Sequence, residues 1–214
     1  MATNCIVDNH DRNQPGPLRR WLRWLISIGF SLTATIIDAS EEVSAYTGRY
    51  NIDDQLRQLL KNTIAAADSF HDKYDAEVWL VAMSEKLKPY VKEPEQRMTL
   101  LRHVHREATR AELNPELVLA VIQIESAFDP YAVSRVGAQG LMQVMPFWKK
   151  EIGRPQDNLI DLVTNLKYGC TILKHYIDKE NGGLANALAR YNGSYGSYVY
   201  TRKVMNAWLE RWRQ

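Results

Sequence analysis

The chain has 214 residues, 45% hydrophobic and 24% charged, with a formal net charge of +2. That suits one globular core with a small annex, and it lacks the one-signed field that points to nucleic acid. With 11 glycines, 8 prolines, 2 cysteines and no repeat at the roughly 20–50-residue period of solenoids, the composition excludes collagen, low-complexity disorder and cysteine-rich frameworks.

Residues 1–20 are polar and broken by Pro15-Gly16-Pro17. Arg19, Arg20 and Arg23 then precede an uncharged stretch from Leu25 to Ile37. Its length fits the apolar part of a secretory signal and falls short of the roughly 20 residues that span a bilayer. Residues 1–39 are therefore expected to export the protein, or to stay as an anchor on the inner membrane, so that it works in or facing the periplasm. Removing that leader takes Cys5 and leaves Cys170. The remaining thiol shares a three-and-four-spaced stripe with Leu159, Leu162, Leu166 and Leu173, which is the pattern of a buried core cysteine.

The rest of the chain reads as all-α. Leu56, Leu59, Leu60 and Ile64 form one apolar face over 53–68, and Trp79, Leu80, Met83 and Leu87 another over 73–90. Glu93-Pro94-Glu95 opens a third helix carrying Met98, Leu101, Val104 and Ala108. Asn114-Pro115-Glu116 combines a capping side chain, a proline at the first helical position and an acid in the first turn. Further helices are expected over 141–151, 158–180, 183–191 and 198–213. Residues 40–97 are expected to form a helical accessory region and 98–214 the main domain.

Chemistry concentrates around Glu125. Counting back along its helix gives Ile122, Val121, Val118 and Leu117, so the carboxyl emerges from the apolar face. Desolvation raises the pKa of a carboxylic acid and prepares it to donate a proton near neutral pH. A loop with glycines and neutral hydrogen-bonding groups follows, running from Ser134 through Gly137, Gly140 and Gln143 to Met145-Pro146. Later come Tyr191-Asn192-Gly193 and the tyrosines 195, 198 and 200. An acid, amide side chains and aromatic rings together suit a sugar, whose hydroxyls and acetamides meet amides and whose C–H faces stack on rings.

Glu125-Ser126, Gly140-Leu141-Met142-Gln143 and Ala189-Arg190-Tyr191-Asn192 resemble the catalytic domain of the soluble lytic transglycosylases, over roughly residues 98–214. The resemblance implies a lysozyme-like helical fold acting on the glycan strands of peptidoglycan, without cofactor or metal. It further implies Glu125 as catalytic acid and base, with Ser134, Gln143, Met145, Tyr191, Asn192 and Tyr200 lining the glycan cleft. Tyr198 competes with Tyr200 for the last place, and Arg190 stands where the family usually has an aromatic or small residue. In the implied reaction one glutamate protonates the bond between N-acetylmuramic acid and N-acetylglucosamine. It then accepts the muramyl C6 hydroxyl proton as a 1,6-anhydro ring closes.

Two alternatives stay open, a goose-type-like lysozyme that hydrolyses the same bond and a non-catalytic wall-binding protein. Asp129 is the nearest acid after Glu125, and Asp129-Pro130 reads as a turn cap. His103 and His105, two apart on a helix, face different directions and lack metal-ligand spacing; with Arg102, Arg106 and Arg110 they read as a solvated face.

Overall fold

The computed structural model describes residues 54–65, 68–70 and 72–213; the expected leader, residues 1–39, lies outside them. The order is α1 (Asp54–Ala65), α2 (Lys73–Leu87), α3 (Pro94–Arg110), α4 (Pro115–Ser126), α5 (Trp148–Ile152), α6 (Leu162–Lys179), α7 (Leu184–Tyr191) and α8 (Val199–Ala207). The last helix continues into one π-helical turn, Trp208–Trp212. Among the described residues there is no strand, only isolated bridges from Gln139 to Val133 and Val144. The fold is all-α.

Helix α4 is the axis of the molecule. Asn114 caps it by accepting from the Leu117 N–H at 2.8 Å, and Pro115 occupies the position whose N–H would have no helical partner. Leu117 through Ile122 are all buried, because α4 packs against α3, α8 and the π-helical turn. A helix buried on every side cannot show a clean amphipathic stripe. It ends abruptly: Ala127 and Phe128 both adopt positive φ, 49° and 66°, and Phe128 turns back into the core against Tyr90 and Trp212.

Helices α1 and α2 pack on α3. Their Leu60, Trp79, Leu80, Met83 and Leu87 share one hydrophobic core with Leu101, Val118 and Trp212. The expected boundary at 97/98 falls inside α3, where buried Arg97 bolts α2 to α3 by donating to Ser84 Oγ, Val91 O and Lys92 O. Trp79 Nε1 donates to Glu116 Oε1 at 2.8 Å, tying α2 to the first turn of α4.

The structure corrects two expectations. The helix expected over 141–151 is confined to Trp148–Ile152, and 141–147 forms turns. Gln143 sits at φ 48°, Val144 pairs with Gln139, and Pro146 has no N–H to give. The expected solvated face on α3 is largely occupied. His105 stacks on Phe70 at 3.6 Å and meets the edge of Trp79, while Glu107 is buried between Arg106 and Arg110 at 3.3 and 2.7 Å.

The C-terminal closure depends on Trp212, fully buried, with its Nε1 donating to Gln123 Oε1 at 2.7 Å. Trp212→Ala should cost about 3–5 kcal/mol, read as a lower urea midpoint with an unchanged denaturant slope.

Candidate active site

Glu125 lies in the last turn of α4, three residues beyond Ile122, where the fully buried stretch ends. The first turn of α8 crosses above it, and there Tyr200, nearly buried, donates its hydroxyl to Glu125 Oε1 at 2.6 Å. Burial is the main influence on the carboxyl, raising its pKa from 4.5 to about 7; the Tyr200 hydrogen bond opposes this and is outweighed. Tyr200 itself is held well above 10, first by its own burial and then by the charge of Glu125, so it remains a donor throughout the neutral range.

A pocket of about 310 Å³ opens beside the carboxyl, lined among others by Ile124, Asn192, Ser194, Tyr200 and Lys203. Glu125 is the one acidic side chain in that lining. Asp129 is engaged elsewhere. Exposed, it accepts from the Tyr131 N–H at 2.9 Å and shapes the turn after α4. A larger groove, about 1070 Å³, runs between the α2–α3 turn, residues 127–131 and residues 158–162, and the Glu125 side chain does not line it.

The expected site residues divide into two groups. Glu125, Asn192 and Tyr200 share the pocket. Tyr191, on α7, feels the charge of Glu125 and donates its hydroxyl to Met142 O at 2.7 Å. It thereby fastens the pocket to the neighbouring loop. Ser134, Gln143 and Met145 belong to that loop and do not line the pocket. Ser134 Oγ accepts from the Ala138 N–H at 3.0 Å. Gln143 Nε2 donates to Ala132 O and Gly140 O at 3.1 and 2.9 Å. Of the late tyrosines, Tyr200 reaches the acid. Tyr198 is exposed and donates to Asn186 Oδ1 at 2.9 Å.

Asn165 is not among the residues that the sequence pattern singles out. Buried in α6, it accepts from the Met142 N–H at 2.8 Å and donates to Gln139 O and Leu159 O at 2.8 and 2.7 Å. One side chain thus meets two backbone groups of the 139–142 loop and one of the segment before α6, joining the two. The signal that could have found it is a polar residue on the apolar stripe of α6, the same anomaly that marks Glu125 on α4. Gly140 complements it at φ 72°, where a Cβ would come within 2.4 Å of Asn165 Nδ2 and 2.7 Å of Leu159 O. Cys170 lies on the same helix, fully buried against Met142, its thiol pushed up by burial.

Arg190 also finds its reason. Its Nε pairs with the Glu180 carboxylate, and its guanidinium lies 3.8 Å over the Tyr195 ring, pinning the segment that follows Asn192.

A desolvated carboxyl with a pKa raised to about 7 beside a polar pocket has the arrangement that general acid chemistry requires. Residues 102–205 match the transglycosylase SLT domain. Two similar proteins are the membrane-bound lytic murein transglycosylases C of Yersinia pestis and Yersinia pseudotuberculosis. Each is 36% identical over 112 residues, which cover 45% of this chain and 31% of the relative. The chain therefore spans under a third of the length of the curated relatives it matches. Among solved structures, lytic transglycosylase Slt of Pseudomonas aeruginosa, an inactive mutant, aligns with a TM-score of 0.41 and 20% identity, over 81% of this chain and 40% of that one. The 70 kDa soluble lytic transglycosylase of Escherichia coli gives 0.42 and 19%, over 73% and 29%.

Asn165→Ala should strip the Met142 N–H and Leu159 O of their partner and leave Gln139 O with only the Val144 N–H. A loss of about 2–4 kcal/mol is expected in chemical denaturation, with proteolysis mapping the loosened segment to residues 139–145.

Proposed function

We propose that the protein is a peptidoglycan lytic transglycosylase. It cleaves the β-1,4 bond between N-acetylmuramic acid and N-acetylglucosamine and leaves a 1,6-anhydromuramyl end. The observation that carries this reading is a lone carboxyl, protonated up to about neutral pH, in a pocket whose lining holds no second acid. Conventional glycosidases use two carboxyl groups flanking the bond. With one, the same group serves as acid and then as base, and the substrate's own groups supply the nucleophiles.

In the first step Glu125 gives its proton to the bridging oxygen as the C1–O bond breaks. The N-acetylglucosamine side departs with a hydroxyl, and the substrate's own acetamide oxygen relieves the charge at C1. Glu125 is now a carboxylate, and Tyr200 stabilises it by donating to Oε1. In the second step that carboxylate takes the proton of the muramyl C6 hydroxyl while O6 bonds to C1 and displaces the acetamide. The acid is restored and no water is consumed. Asn192 and Ser194, which line the pocket, suit the hydroxyls and acetamides of a glycan.

Relatives with the words membrane-bound and murein in their names, and the basic-then-apolar pattern of residues 19–37, support export to the periplasmic side, anchored or free. No helix among the described residues is long and apolar enough to cross a membrane.

Glu125→Gln should abolish turnover on purified sacculi and retain glycan binding. The parent should release muropeptides one water lighter than those a lysozyme yields; hydrated reducing ends would assign a hydrolase. The same variant has a thermodynamic signature. Because the folded pKa is raised, stability falls as pH climbs from 4.5 through about 7. Glu125→Gln should therefore match the parent at pH 4 and exceed it at pH 8, by up to roughly 3 kcal/mol, in paired denaturation curves.

The pH–rate profile tests the acid directly. Glu125 must begin protonated, so kcat/KM should fall about tenfold per unit above about pH 7. Tyr200→Phe removes a bond that favours the ionised form. The alkaline limb should move to higher pH, and kcat should fall about tenfold.

A further inference from the structure

Lys203 stands three residues after Tyr200 on α8 and lines the same pocket as Glu125. Lys203 thus lies about one helical turn beyond the residue that donates to Glu125. Lys203 is exposed, and among the described residues no carboxylate pairs with it. Nor does it neutralise Glu125, whose proton affinity is set by burial and by Tyr200. When Glu125 carries its proton, Lys203 is the one charge among the side chains lining the pocket; Asn192, Ser194 and Tyr200 are neutral.

An unpaired ammonium beside a reacting glycan meets a specific chemistry. The sugar rings offer hydroxyls and acetamides, all neutral. The negative charge of a peptidoglycan strand hangs from the lactyl arm of the muramyl unit, either as the free lactyl carboxylate or as carboxylates of an attached peptide. We propose that Lys203 is a specificity-determining residue that holds a carboxylate carried by the lactyl arm of the muramyl unit being cleaved. This rests on the transglycosylase reading and adds to it a substrate preference. The contact is made in the ground state as well as in the transition state, so it acts on KM more than on kcat. Being partly exposed, it is weakened by salt.

The test compares the full-length parent with Lys203→Gln and Lys203→Arg on three substrates: peptide-bearing glycan strands, peptide-free strands, and peptide-free strands whose lactyl carboxyls have been converted to amides. Lys203→Gln should raise KM about fivefold on a carboxylate-bearing substrate, and Lys203→Arg should recover most of that loss. The difference should shrink at high salt, and the amidated strands should not distinguish parent from variant. A loss confined to peptide-free strands identifies the free lactyl carboxylate; a loss on peptide-bearing strands identifies the peptide. An unchanged KM on both, or an equal loss on amidated strands, overturns the proposal. Titrating the peptide-free strands into Glu125→Gln, with and without Lys203→Gln, reads the same contact as affinity without turnover. A parent that binds glycan but releases no anhydro product overturns the transglycosylase reading instead, and the same titration, run with peptide-bearing strands as well, still decides whether Lys203 holds the carboxylate.

Discussion

The hydrogen bond from Tyr200 to Glu125 joins the two helices that make the pocket, and it balances the chemistry of the carboxyl. Burial alone would drive the acid toward a permanently neutral group. A strong cationic partner would fix it as a carboxylate. A phenol that donates and cannot ionise in the neutral range does neither. It moderates the upward shift, stabilises the charge once it forms, and leaves the pKa at about 7, where a proton can be both given and reclaimed. The fold supplies this balance at a cost to its own stability, as strained or desolvated sites commonly do.

Around that bond the protein is organised by side chains that act as backbone. Asn165 replaces the bonds a strand partner would have given to residues 139–142, and Gln143 closes the loop on itself. Tyr191 then reaches from α7 to Met142, tying the loop to the helix that leads into Asn192. Arg190 does for the segment after Asn192 what Asn165 does for the loop, through Glu180 and the face of Tyr195. Irregular chain is kept rigid beside the acid without a sheet to hold it.

The helices are legible where local rules decide them. Asn114-Pro115 fixes the start of α4, Pro94 that of α3, and the apolar spacing of α6 survives into its packing. Local pattern fails at 141–147, where Leu141, Met142 and Val144 look like a helical face but are buried as loop residues. Non-local partners, chiefly Asn165 more than twenty residues away, outweigh the helix there. His105 misleads for a similar reason: its neighbours on α3 are charged, while the ring that covers it, Phe70, comes from the segment between α1 and α2.

The order of residues by itself determined that this chain is helical and that the carboxyl at 125 follows a continuous apolar run on its helix, because both are local features of the sequence. With its family resemblance it also indicated the glycan. Which tyrosine meets that carboxyl, how far its proton affinity rises, and which cation shares its pocket were decided only by the tertiary structure. Those depend on how closely α8 crosses α4 and how much water is excluded between them, distances between segments some 75 positions apart that no local pattern encodes.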